Sequence, residues 1–143
     1  MDQTVTLTLT NLPAHQSLTV AFDLLILKSW DGNSPTYGPD RWQLRVGTNA
    51  PLVDTTFSNN PKVQTEGSYQ DSPKAGALQW TGAASTNTLG YKFFGDTTYH
   101  FEFTFAHFEP TFALHFSSSL FEGKGSADES WGLDNVRVSS TAK

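Results

Sequence analysis

The run Thr98–Ala106 constrains this chain more than any other stretch, because Tyr99, Phe101, Phe103 and Phe105 alternate there with His100, Glu102 and Thr104. A period of two puts four rings on one face of an extended strand and polar groups on the other, and four rings need an opposing layer to leave water. Thr111–Ser117 answers with Phe112, Leu114 and Phe116 on one face, so the two runs are expected to pair as a hairpin across the loop His107–Pro110. Joining the aromatic faces sets the register: Phe105 opposite Phe112, Phe103 opposite Leu114, Phe101 opposite Phe116, with Glu102 against His115 on the outer face.

The same period recurs along the chain. Thr4–Thr10 places Val5, Leu7 and Leu9 on one face. Ser17–Lys28 opens with Leu18, Val20 and Phe22 in alternation and ends in Leu24-Leu25-Ile26-Leu27, apolar on both faces, the pattern of a strand interior to its sheet. Asp23 in its middle reads as a carboxylate satisfied by neighbouring strands or facing water. Trp42–Val46 and Leu52–Phe57 flank the turn Gly47–Pro51 as a hairpin, Ala77–Trp80 and Thr88–Tyr91 are two shorter strand candidates, and Gly132–Val138 closes the chain with Asp134, Val136 and Val138 on one face. Ser58–Ala77, poor in apolar residues, reads as a surface excursion, and Leu120–Ser130 as a Gly-rich acidic loop. No heptad, repeat or helical period is present. Residues 1–143 therefore read as one all-β domain, a two-layer antiparallel β-sandwich of jelly-roll or Greek-key topology.

Charge narrows the partners. The net charge is −5 and the nine Lys and Arg are scattered singly, so no basic stripe exists to neutralise a phosphate backbone and nucleic acid is excluded as a partner. No apolar run approaches the ~18 residues that membrane insertion as a helix requires. Without cysteine there are no disulfides and no thiolate metal sites. Met1-Asp2-Gln3 leads straight into the first alternating strand, with no charged-then-apolar leader, and the expectation is a module of a longer secreted or cell-surface protein.

The chemistry gathers in two polar stretches. Ser29–Trp42 is a turn-rich loop carrying Asp31, Asn33 and Asp40 among Trp30, Tyr37 and Trp42, and Asp128–Asn135 adds Glu129 and Asp134 around Trp131. Calcium takes six to eight oxygens from such side chains and from carbonyls, so Asp31, Asn33, Asp40, Glu129 and Asp134 are the candidate metal ligands, provided the two stretches meet in space. Taken singly, Asp31-Gly32-Asn33 reads equally as a turn and Asp128-Glu129 as solvated acids. Trp30, Tyr37, Tyr69, Trp80 and Tyr91 are the candidate rings for stacking on a sugar, whereas Trp42 and Trp131, beside strand starts, read as packing. No catalytic residue is assigned. A glycosidase needs two carboxylates converging on one bond, and no spacing here forces that. His100 and His115 read as surface histidines of a sheet.

Two stretches carry a resemblance. Phe22-Asp23-Leu24 running into Ser29-Trp30-Asp31-Gly32-Asn33 and Gly38-Pro39-Asp40-Arg41-Trp42, together with Glu129-Ser130-Trp131-Gly132-Leu133-Asp134-Asn135-Val136, resemble jelly-roll modules of large secreted bacterial proteins. The closing Asp-Asn-Val strand is similar to that of calcium-containing carbohydrate-binding modules and of the MAM-type adhesion sandwich. The resemblance implies a calcium-stabilised sandwich with no activity of its own that binds a glycan or polysaccharide. It places Asp31, Asn33, Asp40 and Asp134 as metal ligands, with Glu129 beside them. Such sandwiches have a further strand before the one at Thr4. Its absence implies an open sheet margin, and with it a second reading: an adhesion module that assembles through a protein partner.

Overall fold

Each strongly alternating run forms a strand. The computed structural model describes residues 3–59, 78–91, 94–121 and 128–142, and among them are β1 (Gln3–Leu9), β2 (His15–Lys28), β3 (Arg41–Val46), β4 (Pro51–Thr56), β5 (Ser85–Thr86), β6 (Asp96–Ala106), β7 (Phe112–Ser119) and β8 (Glu129–Ala142). They make two antiparallel four-stranded sheets, ordered β1-β7-β3-β4 and β5-β6-β2-β8. Only the β3–β4 and β5–β6 connections stay within a sheet; the others cross between layers, as in a jelly-roll or Greek-key sandwich. No helix among the described residues is long and apolar enough to cross a membrane.

The aromatic runs meet differently from the expectation. β6 pairs with β2 and β7 with β1 and β3, so they lie in opposite sheets and form no hairpin. The physical reason is economy of burial: rings on one face of a hairpin still need a covering layer, whereas one run in each layer covers the other. Phe105 and Phe112 do meet, at a centroid distance of 5.8 Å, but across the interior. The Glu102–His115 pair is lost, since each faces outward from a different sheet; His115 meets Thr6 instead and His100 meets Asp23. At the centre Phe22, with no solvent exposure, touches Phe101 in its own sheet and Phe116 and Trp42 in the other.

Three further expectations are corrected. Ala77 lies outside the described residues, and neither 78–80 nor 88–91 forms a strand; the small strand is Ser85–Thr86, in the polar run between them. The Asp96 carboxylate takes the N–H groups of Thr88, Leu89 and Tyr91, which curls that segment into a turn instead of leaving it extended. Ser58 and Asn59, assigned to a surface excursion, are buried: Asn59 Nδ2 donates to Ile26 O at 3.0 Å and its Oδ1 accepts from Thr97 Oγ1. In β8 a bulge opposite Ala21–Asp23 inserts one residue, so Asp134 and Val138 do not share a face: Asp134 is exposed while Val138 packs on the core.

Candidate metal centre

Pairing decides what meets at the sandwich end. β2 and β8 run antiparallel with Lys28 opposite Glu129, so the residues leaving β2 and those entering β8 share one pole. There Ser29 Oγ donates to Asp128 Oδ1 at 2.7 Å and Trp30 Nε1 donates to Ser130 O at 2.9 Å. The two polar stretches of the sequence are thus stitched together.

Within that seam one carboxylate oxygen from each of Asp31, Asp40 and Glu129 lies within 4.8 Å of the other two, and all three residues are buried. Asp40 is the local organiser. Its Oδ2 accepts the Asp31 N–H at 2.7 Å, its Oδ1 accepts the Phe121 N–H at 3.2 Å, and its own N–H donates to Gly32 O at 2.9 Å. The loop folds tightly enough that a Cβ on Gly38 would stand 2.8 Å from Gly32 O, so only glycine fits. Asp31 also forms an antiparallel bridge with Ser58, which puts their side chains on the same face. Ser58 Oγ, fully buried, has no hydrogen-bond partner among the described residues.

Three carboxylates at this distance and out of water repel strongly, and such a cluster persists only with protons or a cation to offset the charge. Burial decides what it can do. Their burial suits an enclosed ion better than a sugar ring set between two acids. A hard cation suits them, since carboxylate oxygens are the donors that such ions take.

Other candidates fall elsewhere. Asp134 is a correction: it sits five residues along β8 from Glu129, about 16 Å away at a strand's rise per residue, opposite Asp23 and exposed, where its Oδ1 accepts the Asn135 N–H. Asn33 is half-buried in the loop two residues beyond Asp31. Trp30 is a second correction, because a ring with no solvent exposure, packed edge-on against Phe57 at 6.0 Å, offers no face to a ligand. Tyr37 and Tyr91 are exposed, Trp80 is half-buried, and Tyr69 lies outside the described residues.

Two polar assemblies lie elsewhere: a histidine pair that pattern reading passed over, and the partners of Asp23, whose expected satisfaction by neighbouring strands is found. His15 Nδ1 bonds Pro13 O at 2.6 Å, and its Nε2 meets His107 Nδ1 at 2.8 Å, at the pole remote from the acids. In mid-sheet, Asp23 Oδ1 accepts from His100 Nδ1 at 2.8 Å and Oδ2 from Asn135 Nδ2 at 2.7 Å. The Asp23 carboxyl is held below its usual range, chiefly by the Asn135 amide and then by His100. A lowered folded value means stability that is fully present above the unfolded carboxyl's ~3.9 and is lost as pH falls through the folded value. Denaturant unfolding of Asp23→Asn beside the wild type is therefore expected to show a stability gap at pH 6 that narrows toward pH 2.5; a gap unchanged across that range refutes the linkage.

Compared with family models, curated proteins and solved structures, the chain matches none.

Proposed function

We propose that this protein is a non-catalytic binding module whose loop pole is fastened by one calcium ion and whose ligand is carbohydrate. The observation that carries the reading is the convergence of Asp31, Asp40 and Glu129, drawn from two stretches distant in sequence, in a buried cluster with one oxygen of each within 4.8 Å of the others. Magnesium keeps several of its waters and suits open sites, whereas calcium accepts a shell made wholly of protein oxygens, so the burial favours calcium. Asn33 and the carbonyls of its loop are candidates for the remaining oxygens. With no cysteine to staple this pole, the ion supplies the crosslink. Sugar binding is supported by Tyr37 and Tyr91, both exposed on segments that lead to this pole.

Calcium added to chelator-stripped protein is expected to raise the melting temperature by about 5–15 °C at saturation, the size expected of a ligand present at a hundredfold or more over its Kd. Titration calorimetry should give one site per chain, with magnesium much weaker. Identical melting in calcium and in chelator, with no heat of binding, refutes the metal part. A second reading, assembly through strand pairing, is favoured by β1, an outer strand hydrogen-bonded only to β7 among the described residues and exposing Val5.

A further inference from the structure

We infer that the outer face of the β5-β6-β2-β8 sheet carries a ligand groove, separate from the loop pole, that takes a neutral hydroxyl-rich ligand, a short saccharide. This rests on the reading of the protein as a sugar-binding module and moves the main contact away from its tyrosines. Thr19 and Ala21 of β2 form a low floor. His100 and Glu102 stand along it from β6, and Asn135 and Arg137 from β8. The depression they enclose is about 380 Å³, within the range of small-ligand sites.

The groove is built rather than incidental. A carboxylate in the middle of a central strand's outer face would ordinarily project into water. Here it is clamped from both sides, by His100 and by Asn135. The Asn135 clamp needs the β8 bulge, where Asn135 adopts a left-handed φ of 52° that asparagine tolerates better than most residues. Accepting from Nδ1, Asp23 fixes the His100 tautomer so that its other nitrogen, Nε2, is the one left for a ligand. The lowered Asp23 carboxyl agrees with a preorganised anion.

The ligand class follows from the charge layout. Glu102 supplies acceptors on one wall and Arg137 supplies donors on the other, about 10 Å apart across two strand spacings. Arg137 disfavours a cation on one side, and Glu102 with Asp23 disfavours an anion on the other. Among the described residues no Trp, Tyr or Phe lines the depression, so recognition runs chiefly through hydrogen bonds. A chain of hydroxyls, each both donor and acceptor and carrying no net charge, complements such walls.

The test is an NMR titration of isotope-labelled, calcium-loaded protein with cello-, xylo-, manno- and galacto-oligosaccharides, a glucuronic-acid oligomer and an extended glycine-serine peptide. At least one neutral oligosaccharide is expected to shift the His100, Asn135 and Arg137 side-chain signals saturably. Arg137→Met and Glu102→Gln are each expected to weaken it by about tenfold or more with melting unchanged. Shifts confined to Tyr37 and Tyr91 overturn the groove and leave sugar binding standing. A response only to the charged oligomer or the peptide overturns the ligand class and so the proposal, and silence across the panel overturns the groove and the sugar reading together, while the calcium reading is judged separately by melting.

Discussion

Phe22→Ala is expected to lower the unfolding free energy by about 3–5 kcal/mol, the cost of emptying a fully packed aromatic site. Phe22 is the place where the two layers lock: its ring lies 5.2 Å from Phe101 within its sheet, 5.3 Å from Phe116 and 6.0 Å from Trp42 in the other. Those neighbours are themselves in register-bound strands, so they cannot collapse into the void without breaking ladder hydrogen bonds. Domains of this size are stable by only about 5–15 kcal/mol, so the loss consumes a large share of the total. Urea unfolding followed by tryptophan fluorescence reads it directly, because Trp42 adjoins the cavity. The same change at Phe103, half-buried and stacked on Phe101, should cost less than half as much. A Phe22→Ala loss below about 1.5 kcal/mol would falsify the picture of a single interlocked aromatic core.

Asp40→Ala carries the second large effect, and it separates two roles of one carboxylate. As an acceptor, Asp40 satisfies the Asp31 and Phe121 N–H groups. Stranding two amides costs about 1–3 kcal/mol each, so about 2–6 kcal/mol should be lost even in chelator. As a member of the acidic cluster, its removal should also abolish the calcium-dependent rise in melting temperature. Glu129→Gln is the informative companion: it removes a cluster charge without touching those two amides. Melting without calcium should stay near the wild type or rise as repulsion is relieved, while the calcium response collapses. An Asp40→Ala protein that still gains full stability from calcium refutes a role for Asp40 in ion binding.

Strand content was open to a one-dimensional reading because alternation is a local property. Tyr99 to Phe105 commit to one face whatever they pair with. Partner choice was not open, since a face of rings is equally content against a neighbour in its own sheet or a layer opposite; the β6–β7 hairpin failed for that reason. The acidic site divides in the same way. Asp31, Asp40 and Glu129 could be picked by residue type, whereas Asp134, chosen from the same cluster by the same logic, faces out in mid-strand because a strand carries it five residues beyond the pole. Trp30 drew attention as a ring in a polar loop, yet its indole is buried with its N–H on Ser130 O. Asn59 and Asp96 were overlooked, because a buried polar residue that ties backbone together has no signature in its neighbours along the chain.

By itself the order of residues determined that this protein is all β, that the alternating rings of its strands face the interior, and that oxygen donors collect in two stretches, because side-chain period and composition act over a few residues. The tertiary structure alone decided that Lys28 stands opposite Glu129, which makes one buried cluster of two distant stretches, and that a bulge turns Asn135 onto Asp23. Those outcomes depend on strand register, and register is set by how two whole faces fit together, a quantity that no short window of sequence contains.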